Sequence, residues 1–146
     1  MAIIHQIKKS NMAAAWDKKV HVKSSLERKS GQFSMMIGRW QPLHEGHKQL
    51  FSRVLDAGGN VCIAIREVVP DEKNPFTAAD VMDSIYKEYF ELITLGRVKV
   101  MIIPDICSVE FGRGVGYDII EHIPPQDISD ISATKIREQM REEGRL

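Results

Sequence analysis

The chain has 146 residues, 43% of them hydrophobic, which suits one domain with a core and leaves little room for a second. Twenty Lys and Arg balance twenty Asp and Glu, so the global basic field of nucleic-acid binders is excluded. No apolar run approaches the ~18 residues of a membrane span. The start lacks the apolar core of a secretory signal, and two cysteines are too few for a disulfide framework; a reduced, cytoplasmic chain is expected.

The charge balance hides an asymmetry. Residues 1–33 carry seven Lys or Arg against two acids, a net of +5, so residues 34–146 carry −5. Within that basic stretch Met12 to Trp16 predicts one or two helical turns. The rest is Lys- and Ser-rich and reads as a tail, a linker or a vector-derived extension, with a docking segment anchored by Trp16 as the alternative. From Phe33 the pattern becomes regular. Phe33 to Ile37 is a buried strand ending at Gly38. Glu45 to Leu55 carries Leu50, Val54 and Leu55 at helical spacing and stops at Asp56-Ala57-Gly58-Gly59. Val61 to Ile65 is apolar on both faces, as parallel strands are. Thr77 and Asp80 form a T-x-x-D capping box that opens a helix running to near Gly96. Val98 to Pro104 is a third strand, Ser108 to Gly116 is Gly-rich and irregular, and Tyr117 to His122 is a short fourth strand. Thr134 to Met140 begins a last helix, with Gly144 as its stop.

Strands alternating with helices predict an α/β fold: a Rossmann-like parallel sheet with flanking helices, a single compact domain over residues 34–146. Ligands of such sheets sit beyond the carboxyl ends of the strands. Two unusual strings fall there. The first is Gly38-Arg39-Trp40-Gln41-Pro42-Leu43-His44-Glu45-Gly46-His47, of form GRxxPxHxGH. Gly38 lets the chain turn close to a ligand, and Pro42 keeps the helix from starting early. His44 and His47, three apart at a helix start, share one side; their rings, the free N–H groups and the helix dipole suit phosphate, with Arg39 as a fixed charge. A zinc site is the weaker reading, because His-x-x-His stands without a nearby Cys or further His. The second string is Ile131-Ser132-Ala133-Thr134-Lys135-Ile136-Arg137, of form ISxTxxR. Ser132 or Thr134 caps the last helix, and Lys135 and Arg137 add charge for a second anion site.

The first string resembles the signature of the HxGH nucleotidyltransferase superfamily, and its Arg, Gln and Pro resemble nicotinamide mononucleotide adenylyltransferases in particular. The second resembles that superfamily's ISxTxxR signature. The resemblance implies that His44, His47 and Arg137 are catalytic and stabilise a triphosphate as its α-phosphorus is attacked. It also implies that Gly38, Arg39, Gly46, Ser132, Thr134 and Lys135 bind the nucleotide. Trp40, which replaces the more usual Phe, is counted with them; packing under the loop or lining the acceptor side are the other readings, and packing is the favoured one. The implied reaction moves a nucleoside monophosphate, AMP from ATP in the first instance, to a phosphorylated small-molecule acceptor and releases pyrophosphate. Mg²⁺ is expected to arrive on the phosphates, with no protein side chain as ligand. Homo-oligomers are common in the family, and nothing here fixes a number.

Asn74-Pro75-Phe76-Thr77-Ala78 is similar to the NPFTA segment of the same adenylyltransferases, although the Arg that usually follows falls near Val81. The larger departure is Ile106 to Gly116, where the family has a helix and a strand: the second half is shortened and acceptor recognition must be remodelled. Arg66, at the end of the second strand, and Arg113, in the Gly-rich loop, are the cations offered to an acceptor. The compact size is also similar to glycerol-3-phosphate cytidylyltransferases, which keeps CTP with an alcohol phosphate as the alternative. A nucleotide-binding module without catalysis is the rival from another class.

Overall fold

The computed structural model describes residues 16–113 and 116–146. The expected helical turns at residues 12–15 and the Gly114-Val115 part of the Gly-rich loop lie outside the described residues. The chain divides into two compact units, Met1–Arg28 with Phe111–Asp130, and Lys29–Glu110 with Ile131–Leu146.

The larger unit is the parallel α/β layer. Strand β2 (Phe33–Gly38) leads into helix α1 (Glu45–Leu55), and α1 into β3 (Asn60–Glu67). Helices α2 (Ala78–Glu88) and α3 (Phe90–Thr94) follow, then β4 (Val98–Pro104) and, after the excursion into the other unit, α5 (Ala133–Glu142). The sheet order is β2-β3-β4, parallel throughout, with Met36 opposite Ile63 and Ile63 opposite Val100. Strand order that runs in one direction, joined by crossovers of one hand, puts successive helices on one face. Burial follows that rule. Met36, Val61, Ile63, Ile65 and Val98 pack with Phe51 and Leu55 of α1 and with Ala78, Val81 and Ile85 of α2. Phe51 and Ile85 are fully buried, worth about 1.5–3 kcal/mol each relative to exposed side chains. On the opposite face Met35, Ile37 and Met101 stay exposed.

The ends of these elements have local causes. Thr77 caps α2 by accepting from the Asp80 N–H at 3.1 Å, and the Asp80 carboxylate accepts from the Thr77 N–H at 3.2 Å, the reciprocal box read from the sequence. The helix expected to run on to Gly96 breaks at Tyr89, whose φ of −112° and ψ of 20° leave the α region. The Arg97 guanidinium donates to the carbonyls of Leu55 and Gly59, both at 2.7 Å, and so ties the start of β4 to the end of α1.

The smaller unit corrects the reading of the fourth strand. Strand β5 (Ile119–Ile123) does not extend the parallel sheet; it pairs antiparallel with β1 (Asp17–Val22), Val20 opposite Ile120. Strand β1 lies inside the stretch read as tail or linker. Its alternation of Val20 and Val22 is diluted by Lys18, Lys19 and Lys23, so composition outweighed period. Asp118 secures the pair, accepting from the Ser24 N–H at 2.7 Å and from Arg28 at 3.1 Å. A short helix α4 (Gln126–Ser129) follows β5.

Candidate active site

The loop after β2 turns on Trp40. Its φ is +54°, the left-handed region that a bulky side chain rarely adopts, and the indole is only 6% exposed. The ring donates from Nε1 to the Ala64 carbonyl at 3.1 Å and meets Phe51 and His47 edge-on, centroids 5.1 and 4.8 Å away. The Trp40 ring packs in the core and backs His47, as the packing reading of this position expected. It also explains Gly38, because a Cβ there would stand 2.7 Å from the indole.

The two histidines begin α1 in an arrangement with chemical consequences. His44 is the N-cap, in extended backbone geometry. Its Nδ1 accepts from the Gly46 N–H at 3.1 Å, and His47 Nδ1 accepts from the His44 N–H at 3.2 Å. The rings stack 3.6 Å apart with an 18° interplanar angle. A nitrogen that accepts from an N–H carries no proton, so both neutral rings hold theirs on Nε2. Burial lowers the pKa of both histidines. In His47 the neighbouring His44 charge adds to burial, and the value falls to about 3. At neutral pH the pair therefore presents two Nε2–H donors and no charge. Gly46 is buried between them, and Arg39, exposed beside the loop, brings the fixed charge.

The second string meets the first. Arg137, 7% exposed, donates from Nη1 to the Gln41 carbonyl at 2.7 Å, across 96 residues of sequence. Its Nη2 donates to Thr134 Oγ1 at 3.3 Å. Two of five guanidinium donors are thus engaged by these contacts. Burial and the Arg141 charge lower its pKa, and a guanidinium keeps its proton nonetheless. Ser132 is the N-cap of α5 and accepts from the Lys135 N–H at 3.2 Å, which settles which hydroxyl does the capping. Thr134 and Lys135 are exposed in the first turn.

Sequence reasoning gave Gln41 and Asp71 no site role. Gln41 is buried and joins the first string both to Arg137 and to Phe76. Asp71 is held below the usual carboxylate range, first by the Asn74 N–H and also by the Asn74 amide, the Lys73 N–H and the Arg39 charge.

Arg66 and Arg113 belong to different units. Arg66 ends β3 and lines a cavity of about 280 Å³ with Ile37, Ile106, Cys107, Ser108 and Val109. Its Nη2 donates to Asp105 at 2.7 Å and to the Ile106 carbonyl at 2.9 Å, so it pins the loop after β4. Arg113 is exposed and belongs to the smaller unit. Among the described residues no group of three or more His, Cys, Asp or Glu could hold a metal ion, and no helix is long and apolar enough to cross a membrane.

No family model matches the chain. Over 114 residues it is 28% identical to a nicotinamide-nucleotide adenylyltransferase of Methanococcus aeolicus, covering 76% of this chain. The match spans 63% of that relative, less than two thirds of its length. With the α/β fold described above, this similarity supports a relationship to the nucleotidyltransferase superfamily.

Proposed function

We propose that the larger unit is an adenylyltransferase: it binds ATP by its triphosphate and transfers AMP to a phosphorylated small-molecule acceptor. The observation that carries this reading is the 2.7 Å contact between Arg137 and Gln41, which joins the two phosphate-suited strings at the carboxyl end of the sheet. An acceptor oxygen attacks the α-phosphorus and forms the new P–O bond. The bond from that phosphorus to its bridging oxygen breaks, and pyrophosphate leaves with the electron pair. Charge grows on the non-bridging oxygens of the α-phosphate, and neutral Nε2–H donors on His44 and His47 meet it without needing to be deprotonated first. Arg137, Lys135, Thr134 and the N–H groups at the start of α5 hold the outer phosphates. The donor set is imidazole, guanidinium, ammonium, hydroxyl and N–H, with no carboxylate cage among the described residues, and it suits a Mg²⁺ held by phosphate oxygens and water. Bound there, the ion would neutralise charge on the departing pyrophosphate. Arg66 is the cation on the acceptor side.

The test is a screen of ATP and CTP with Mg²⁺ against nicotinamide mononucleotide, glycerol 3-phosphate and other phosphate monoesters, read as pyrophosphate release. ATP with a phosphorylated nucleoside is the expected productive pair. Release with CTP alone replaces adenylyl by cytidylyl transfer, and binding of nucleotide without release from any pair makes the protein a binding module. In the productive pair, His47→Ala is expected to lower turnover about 100-fold while the ATP dissociation constant changes far less. Undiminished turnover removes His47 from the reaction.

A further inference from the structure

We propose that Gln41 is a positioning residue of this reaction: it fixes the Arg137 guanidinium at the triphosphate and locks it to the start of α2. The inference rests on the reading of the site as one for a nucleoside triphosphate.

Gln41 is 5% exposed, and a buried primary amide must find partners for its donors and its acceptor. It finds them on one residue. Its Nε2 donates to the Phe76 carbonyl at 2.8 Å, and its Oε1 accepts from the Phe76 N–H at 2.9 Å. The side chain thus pairs with Phe76 as a neighbouring strand would, directly before the cap at Thr77. The backbone of the same residue turns the other way, its carbonyl accepting from Arg137. One residue therefore joins three segments: the loop after β2, the entry to α2 and the face of α5.

That clasp decides where the guanidinium sits. A planar fork is oriented once two of its nitrogens are held, and Arg137 is held by the Gln41 carbonyl and by Thr134 Oγ1. Thr134 shares the helix with Arg137, so only the Gln41 contact refers the fork to the histidine loop. The direction of that carbonyl is in turn set by the amide on Phe76 and, one residue back, by the Trp40 indole on Ala64. No near relative of glutamine repeats the clasp. Asparagine is one methylene too short, and glutamate would oppose an oxygen to the Phe76 carbonyl.

The test is a calorimetric titration of the full chain with MgATP, using wild type, Gln41→Ala, the near-isosteric Gln41→Glu, Arg137→Ala, the Gln41→Ala/Arg137→Ala double variant and Thr77→Ala. Circular dichroism first establishes that each variant is folded; if Gln41→Ala is not, Gln41→Glu takes its place in the cycle. Both Gln41 variants are expected to weaken MgATP binding about tenfold, and the Gln41 change should add less than about twofold once Arg137 is gone. Thr77→Ala loosens the same entry to α2 without touching the clasp and is expected to bind as wild type. Three results overturn the inference: wild-type affinity in a folded Gln41 variant, an undiminished Gln41 effect in the Arg137→Ala background, or an equal loss in Thr77→Ala. Wild-type protein that binds neither MgATP nor MgCTP overturns the triphosphate reading itself, and the inference with it.

Discussion

An imidazole that accepts a backbone N–H on one nitrogen cannot carry a proton there without giving up that bond. His44 and His47 are both in this position, and each is stacked on the other. Nitrogen-detected NMR is expected to show both as the Nε2–H tautomer at neutral pH, with no titration of His47 from about pH 5 to 8. A His47 midpoint near the ordinary value of 6.5 would remove the lock. The same burial links stability to pH. The folded-state pKa of His47 is about 3 against 6.5 for an unperturbed ring, so between these values the unfolded chain binds the extra proton. The stabilisation is present above 6.5 and is lost as pH falls toward 3. Denaturant melts through this window should lose stability with acid in the wild type, and less steeply in His47→Ala. The histidines, Ser132 and Arg137 could be singled out as candidates in the sequence because their types and spacing are local signals. Gln41 could not, since its partners lie 35 and 96 residues away and depend on the path of a loop.

Helices and strands were most legible where their signals are local. Helix α1 spans the expected Glu45–Leu55, and the Thr77–Asp80 box stands where the sequence puts it. The cap of α1 is different: a histidine takes the role that Ser, Thr, Asp and Asn normally fill, so its identity as a cap had no compositional signal. The break at Tyr89 also escaped reading, because Tyr89, Leu92 and Ile93 keep helical spacing across it. Strand β2 ends on Gly38 for a reason that the motif alone understated. Gly38→Ala brings a methyl against the Trp40 ring, and overpacking of that kind is expected to cost about 1–3 kcal/mol in chemical denaturation. An unchanged midpoint would mean that the ring moves aside freely. The displaced indole is also expected to disturb His47, so nucleotide affinity should fall with stability.

For the whole molecule, the parallel layer was legible and the pairing of β5 was not. Alternating strands and helices gave β2, β3 and β4 their direction, but the partner of β5 lies about a hundred residues earlier in a Lys-rich stretch with weak alternation. The resulting division gives each unit one of the two tryptophans, Trp16 in the smaller and Trp40 in the larger. Trp40 sits edge-on to His47. Intrinsic fluorescence can therefore be assigned by single substitutions. In Trp16→Phe the remaining emission, that of Trp40, is expected to respond to a MgATP titration if His47 meets the nucleotide; an unchanged emission would separate the indole from the proposed site. The buried indole that supports the histidine loop is in this way also its optical reporter.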